Sequence, residues 1–283
     1  MATVYISPSG AGTNSGDSEA NAVNWNSGAG LNAAETAATT GGTIIFLDGS
    51  YPFGGDETFD GVSGITYISQ NINGAVLGDS GTNRLLTIGS SATGGLTLKN
   101  FKFVDVYFYS GTSLVTDCTV ENCYLSATVA VDYTGTSPKI KAQGTATGVY
   151  LIFKNCVIEY NCNTTADRLL QGDDYKLQGC TNYITTGSAT SIGWSYGPPA
   201  EMKNCIWFSD DDAAISTTTG TGNTSRGDFA DYSTFSSFYQ MGTANDSGGT
   251  NNLYDTNPLF VDSTTGDYRL RPSSPCIGAG TAS

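Results

Sequence analysis

Four basic side chains in the middle of the sequence could carry out chemistry on a polysaccharide. They are Lys154, Arg168, Lys176 and Lys203. Elimination at a hexuronate unit needs a base near C5, a proton donor for the leaving oxygen and a positive charge beside the carboxylate. Lysine and arginine can fill these roles, so these four residues are the candidates for a lyase site.

Three consecutive carboxylates, Asp210, Asp211 and Asp212, stand in the stretch SDDDAAIS. A carboxylate pair can supply acid and base, or acid and nucleophile, for glycoside hydrolysis. An exposed turn that leaves a strand is the simpler interpretation, because acidic residues keep a sheet end soluble. Because the chain has no histidine, mixed Cys/His metal sites are excluded. We expect no resident cofactor. Ca²⁺ is the one metal ion that such acidic clusters could bind through their oxygen atoms.

Two aromatic residues, Trp194 and Tyr196, precede a Pro-Pro turn in SIGWSYGPPAEM. Aromatic rings can stack on the apolar face of a sugar, so this pair is a candidate glycan-binding site. Packing of Trp194 over the adjoining loop explains the same pattern, since tryptophan is amphipathic and seldom wholly buried. The sequence leaves both interpretations open.

The chain of 283 residues is strongly acidic, with 12 basic and 26 acidic residues and a formal net charge of −14. DNA, RNA or a uronate polysaccharide would meet net repulsion, and the basic residues are scattered singly along the sequence. The opening MATVYISPSG lacks an apolar leader, and no later window has the length of a transmembrane helix. We therefore predict a soluble protein without nucleic-acid or membrane partners.

A repeat of 22 to 25 residues organises the middle of the sequence. Five aligned segments read LTLKNFKFV, CTVENCYLS, LIFKNCVIE, YKLQGCTNY and AEMKNCIWF. Their anchors after the bend are Phe101, Cys123, Cys156, Cys180 and Cys205, with one longer interval of 33 residues before Cys156. Apolar residues alternate with polar ones on both sides of the bend, which predicts two strands per repeat.

Such a unit cannot close a core alone, so the pattern predicts an all-β fold, a single-stranded parallel β-helix. With about 4.8 Å between coils, the asparagines form one column and the cysteines a second, buried column. The seven cysteines are then structural thiols rather than a disulfide framework. We assign residues 1–40 to an N-terminal strand and capping helix, 41–215 to coils and 216–283 to an irregular C-terminal region of one continuous domain.

Both ends of the chain resemble right-handed parallel β-helix proteins of the pectate-lyase superfamily. The resemblance rests on VYISPSGAGTNSGDS and GGTIIFLDGSYPF at the start and on NPLFVDSTTGDYRLRPSSPCIGAG at the end. Lyases related to chondroitinase B and alginate lyase share it most visibly, and it implies that Leu31–Ala38 is a helix that plugs the first coil. Those lyases use Lys and Arg, often with calcium, but no such constellation matches here residue by residue. Polygalacturonases resemble the chain at SDDDAAIS, yet the Gly-His-Gly segment that they also use is absent.

These end segments accompany lyases, hydrolases, surface proteins and phage structural proteins alike, so the fold leaves the activity open. Unpaired cysteines, a polar surface and strong acidity favour a structural or attachment protein of a virion, like the β-helix spike and decoration proteins of bacteriophages. This predicts folding in the host cytoplasm, with other virion proteins and host surface polysaccharide as partners. Analogy with phage proteins also implies a homotrimer. The alternative is an extracellular polysaccharide lyase or glycoside hydrolase.

Overall fold

The computed structural model shows a chain rich in parallel β-strands. It describes residues 2–26, 29–59, 64–82, 84–88, 94–110, 114–127, 139–142, 148–162, 167–172, 174–186, 191–195, 200–209, 214–215, 230–231, 234–235, 253 and 256–280. Only the backbone is described at 162, 167–171, 185–186, 191–195, 209, 214–215, 230–231 and 234–235.

Three parallel sheets, named A, B and C here, contain nearly all strands of the described residues. In the order of hydrogen-bonded neighbours, sheet A comprises β2 (Val23–Asn24), β1 (Thr3–Ser7), β3 (Thr43–Phe46), β6 (Thr66–Ser69), β9 (Thr97–Lys99), β12 (Cys118–Glu121), β15 (Leu151–Lys154), β18 (Tyr175–Gln178), β21 (Glu201–Lys203) and β24 (Ala230–Asp231). Sheet B comprises β25 (Thr234–Phe235), β22 (Ile206–Ser209), β19 (Thr181–Thr186), β16 (Val157–Cys162), β13 (Tyr124–Ser126), β10 (Lys102–Val104), β7 (Ala75–Gly78) and β4 (Gly49–Tyr51). Sheet C comprises β23 (Ala214–Ile215), β20 (Ser191–Ser195), β17 (Asp167–Gln171), β14 (Ile140–Ala142), β11 (Val106–Ser110), β8 (Arg84–Ile88) and β5 (Glu57–Phe59).

Successive strands from β3 to β23 enter sheets A, B and C in rotation. Each repeat therefore adds one strand to each sheet, and each strand pairs with its counterparts in the preceding and following repeats. We call this arrangement the stack. The prediction of stacked parallel strands is confirmed, and each repeat contains a third strand, in sheet C, that the sequence alignment did not include.

The predicted asparagine bend lies between sheets A and B. Asn100, Asn122, Asn155 and Asn204 have φ values of 65°, 54°, 52° and 54°, a left-handed conformation that asparagine tolerates better than most residues. The Asn122 N–H donates to the Lys154 carbonyl at 2.9 Å, which links one bend to the next repeat. Gly179 occupies the same place with a φ of 65°. The bend prediction is confirmed in all five repeats.

The bend makes a prediction about stability. We expect Asn122→Ala to lower the free energy of unfolding by about 1–2 kcal/mol, because the left-handed backbone conformation is unfavourable for alanine. Asn122→Gly should cost less than about 1 kcal/mol, since glycine adopts positive φ without strain. Urea denaturation followed by circular dichroism measures both variants. Equal losses would show that the side-chain amide, rather than the backbone conformation, governs this position.

The core lies between the three sheets. The column three residues before the anchors is fully buried, as predicted, and consists of Leu98, Val120, Phe153, Leu177 and Met202. A chain of aromatic contacts runs along the core through Phe46, Phe101, Phe103, Phe108 and Phe153, with ring-centroid distances of 5.1, 5.7, 4.9 and 5.5 Å. Asn182 of β19 is a buried polar residue, and its Oδ1 accepts a hydrogen bond from the Tyr160 hydroxyl at 3.2 Å.

The anchor cysteines Cys123, Cys156, Cys180 and Cys205 are free thiols and are buried, which confirms the predicted column. Their sulfur atoms contact main-chain carbonyls, for example Cys156 Sγ and Lys154 O at 3.3 Å. Burial raises the pKa of the Cys156 and Cys205 thiols well above its ordinary value. Buried free thiols suit a structural role.

Helix α1 (Ala29–Ala38) contains the predicted segment Leu31–Ala38 and buries Leu31, Ala34 and Ala38. A Cβ at Gly30 would lie 1.8 Å from Asn24 O, so glycine is required for the helix to approach β2. Short 3-10 turns span Glu19–Asn21 and Ser263–Thr265. No helix in the described part of the chain is long and apolar enough to cross a membrane.

An antiparallel hairpin of β26 (Phe260–Asp262) and β27 (Asp267–Leu270) follows the stack. It packs on the outer side of sheet B, with Phe260 and Phe208 ring centroids 5.4 Å apart and Tyr268 and Tyr183 centroids 5.0 Å apart. The C-terminal segment then reaches the asparagine bend, where Gly280 lies against the Asn204 side chain. The hairpin thus brings the end of the described chain beside sheets A and B.

Candidate functional site

A surface depression lies where Gly179 interrupts the asparagine column. Its cavity volume is about 540 Å³, and its lining residues are Lys154, Asn155, Gln178, Gly179, Glu201, Lys203 and Asn204. A Cβ at residue 179 would lie 2.6 Å from Asn155 Oδ1. The Asn155 amide therefore fills the place that a side chain at residue 179 would need, and glycine allows this close approach.

Two outward columns of sheet A run past the depression. The column just before the bend reads Lys99, Glu121, Lys154, Gln178 and Lys203. The neighbouring column reads Thr97, Thr119, Ile152, Lys176 and Glu201. Basic residues that are scattered singly in the sequence thus share one face of five adjacent strands. The group of basic residues on this face contrasts with the net negative charge of the whole chain.

The contacts on this face involve several of its charged groups. Lys99 Nζ and Glu121 Oε2 form an ion pair at 2.8 Å. Gln178 Nε2 donates to Glu201 Oε1 at 2.6 Å, so the Glu201 carboxylate is engaged within the depression. Lys154 and Lys203, in contrast, form no ion pair with any side chain that the structure describes.

Lys176 lies opposite Glu201 in the strand register, where a cross-strand ion pair would be expected. The ammonium group of Lys176 instead lies 4.0 Å from the centroid of the Tyr150 ring. A cation over an aromatic face is favourable. The Glu201 carboxylate is hydrogen-bonded to Gln178 instead. Lys176 therefore flanks the depression without lining it.

The remaining candidate residues lie elsewhere. Arg168 belongs to β17 of sheet C, where its backbone pairs with Gly193, and its side chain is outside the described set. The four lyase candidates are thus divided between two sheets. Trp194 pairs with Leu170 in sheet C, and its side chain is likewise outside the described set. Tyr196, Asp210, Asp211 and Asp212 lie outside the described residues.

A second polar cluster, which the sequence analysis missed, lies where the hairpin meets sheet B. The Glu159 carboxylate accepts hydrogen bonds from the hydroxyls of Tyr124, Tyr268 and Ser126, the last two at 2.7 and 3.0 Å. Gly266 lies beside this cluster, and a Cβ at this position would be 3.1 Å from the Tyr124 hydroxyl. These residues come from β13, β16 and β27, so no local motif could have indicated them. Their contacts hold the hairpin on the stack.

Lys139 is buried next to this cluster. Its Nζ donates to the Ser126 carbonyl at 3.0 Å. Burial lowers the pKa of Lys139 to about 8, although the nearby negative charges of Asp105 and Glu159 oppose that shift. The lysine lies inside the protein and is not part of a surface site.

The depression thus offers two ammonium groups, three side-chain amides and one carboxylate. This set offers hydrogen-bond donors and acceptors to a polar ligand. Within the described residues, no three His, Cys, Asp or Glu side chains are arranged to bind a metal ion. The sequence matches no protein-family model and shows no significant similarity to a curated protein.

Proposed function

We propose that this protein is a non-enzymatic structural or attachment protein of a virion, of the spike, fibre or decoration type. The rotation of strands through three sheets supports a right-handed parallel β-helix capped by α1, as the resemblance to the pectate-lyase superfamily implies. Buried free thiols favour folding in a reducing host cytoplasm. The proposed partners are other virion proteins and surface polysaccharide, and a homotrimer is the assembly expected from analogy.

The observation that carries this proposal is the contrast between a continuous stack and dispersed chemical groups. Strand pairing is continuous from β2 to β24 in sheet A, around an apolar core. The lyase candidates, however, occupy two different sheets. A rigid stack with polar outer columns suits a particle surface that must survive outside the cell.

Association with particles tests the structural role directly. Particles from the source host, purified by density-gradient centrifugation, are probed with an antibody against the full chain. We expect the protein to co-migrate with the particles after a high-salt wash. Recovery only from the particle-free supernatant would refute the virion assignment and favour the extracellular alternative.

That alternative, a polysaccharide lyase, is favoured by one observation: Lys154 and Lys203 both line the depression. Incubation with alginate, chondroitin and pectate, with and without calcium, separates the two functions. We expect binding without new unsaturated ends, measured by ultraviolet absorbance, and without new reducing ends. Unsaturated products that disappear in Lys154→Ala would identify a lyase instead.

A further inference from the structure

We propose that the cysteine column is a redox modification site, in which thiols of neighbouring repeats join as disulfides when the protein meets a low-molecular-weight disulfide such as oxidised glutathione. The cysteine column consists of the anchor residues Cys123, Cys156, Cys180 and Cys205, which are free thiols in the folded chain. Full oxidation should give two bonds, one between Cys123 and Cys156 and one between Cys180 and Cys205. The inference goes beyond the proposed function and does not depend on it, because it concerns the stack alone.

The strand register places the four cysteines directly above one another. Each cysteine immediately precedes a strand of sheet B, and these strands pair with Tyr124 opposite Val157, Val157 opposite Thr181 and Thr181 opposite Ile206. The spacing of paired strands then puts the Cα atoms of neighbouring cysteines about 4.8 Å apart. Disulfides span Cα distances of about 4.4–6.8 Å, so each neighbouring pair lies within bonding range.

The sulfur atoms make the same contacts in successive repeats. Cys156 Sγ lies 3.4 Å from Val120 O, and Cys180 Sγ lies 3.4 Å from Phe153 O. Each of these carbonyls belongs to the preceding repeat and stands three residues before its anchor cysteine. The side chains therefore point in a common direction, and each sulfur leans toward the repeat that holds its neighbour.

The thiols also contact one another. The Cys180 sulfur accepts hydrogen bonds from the thiols of Cys156 and Cys205. Burial raises the pKa of Cys180, but these two hydrogen bonds lower it well below its ordinary value. Because the thiolate is the nucleophile in disulfide exchange, Cys180 should attack first, with a second thiol already beside it.

Each bond forms in two exchange steps. The Cys180 thiolate attacks one sulfur of oxidised glutathione, which gives a mixed disulfide and releases one glutathione thiolate. The deprotonated Cys205 sulfur then attacks the Cys180 sulfur and releases the second glutathione thiolate. Two protein thiols are oxidised, one glutathione disulfide is reduced, and the two protons pass to the leaving thiolates. The product is neutral, so the core acquires no buried charge.

The geometry of the column determines the pairing. Cys123 and Cys205 are three repeats apart, or about 14 Å by strand spacing, which is too far for a disulfide. A bond between Cys156 and Cys180 would therefore leave both outer thiols without a cysteine in reach within the column. Pairing from the two ends uses all four thiols and cross-links two pairs of adjacent repeats.

Burial should make the oxidation slow. The four cysteines expose no more than 3% of their surface, so glutathione reaches them only when adjacent repeats separate locally. We expect oxidation over hours in native buffer, the usual range for uncatalysed disulfide exchange. Urea at concentrations below the unfolding transition should accelerate it, because local opening becomes more frequent.

Peptide mapping of the full chain tests the inference. The protein is incubated with oxidised glutathione, the remaining thiols are alkylated under denaturing conditions, and tryptic peptides are analysed by mass spectrometry. Cleavage after Lys139, Lys154, Lys176 and Lys203 places the four cysteines on four different peptides. We expect a link between the first and second of these peptides, a link between the third and fourth, and reversal of both by dithiothreitol.

Cys118→Ala is the matched control. Cys118 is as deeply buried as the column, but its register partner in the next repeat is Leu151 rather than a cysteine. It also shares a tryptic peptide with Cys123, so the variant shows which of the two is linked. We expect both links to form unchanged in Cys118→Ala.

Cys180→Ala tests the pairing. The substitution should abolish the link to Cys205 and retain the link between Cys123 and Cys156, with a loss of two thiols in place of four. Circular dichroism checks that the variant is folded. The wild-type map and the Cys118→Ala map remain decisive if it is not.

Four outcomes would overturn the inference. They are retention of all four thiols in sub-denaturing urea, a lasting glutathione adduct without a second bond, a single link between Cys156 and Cys180, and loss of the links in Cys118→Ala. None of these results bears on whether the protein co-migrates with particles. Failure of this inference is therefore distinguishable from failure of the proposed function.

Discussion

Phe103→Ala should lower the free energy of unfolding by about 3–5 kcal/mol. Phe103 is fully buried, and its ring lies 5.7 Å from Phe101 and 4.9 Å from Phe108 between centroids. Its strand, β10, is hydrogen-bonded on both sides, to β7 and β13. The surrounding backbone therefore cannot move inward easily, and the substitution leaves a cavity in the middle of the aromatic contacts.

Urea denaturation with intrinsic fluorescence and circular dichroism measures this loss. Thr119→Ala is the matched control, because Thr119 is a half-exposed residue in an outward column of the same stack. We expect the control to change stability by no more than about 0.5 kcal/mol. A loss below about 1 kcal/mol for Phe103→Ala would contradict a tightly packed core at this position.

Lys139→Met should remove a pH-dependent contribution of about 2 kcal/mol between about pH 7.5 and about pH 9.5. The pKa of Lys139 is about 8 in the folded protein, below its ordinary value of 10.5, because the side chain is buried. Between those values the unfolded chain binds a proton that the folded chain does not. This contribution to stability therefore rises with pH through the window.

The test is the difference in unfolding free energy between the wild type and the variant at each pH, rather than the pH dependence of the wild type alone. Two buried thiols act in the opposite direction, because burial raises the pKa of Cys156 and Cys205 and favours unfolding where free thiols ionise. That loss is common to both proteins and cancels in the difference. Lys141→Met, a change two residues further along the chain at a half-exposed position of β14, should retain the wild-type dependence. An identical pH dependence in Lys139→Met and the wild type would refute the assignment.

The sequence alone determined the repeat and the identity of its columns. The bend residue and the alternation of apolar and polar residues are local properties, since they depend on backbone conformation and on which side of a strand a residue faces. The buried cysteines and the bends at Asn122 and Asn155 followed from that pattern. The strands of sheet C did not, because the segments that lead to β11 and β14 vary in length and fall outside the aligned pattern.

The tertiary structure decided which polar residues meet. Lys154 and Lys203 were candidates from the sequence, but only the strand register places Gln178 between them. The contact of Glu159 with Tyr268 joins residues 109 positions apart, which no local pattern encodes. A residue's preference for a strand or a bend depends on its immediate neighbours in the sequence. A site depends instead on how residues from different repeats align when the strands pair. For that reason the aligned columns of the sequence predict the fold, whereas the site became visible only in the tertiary structure.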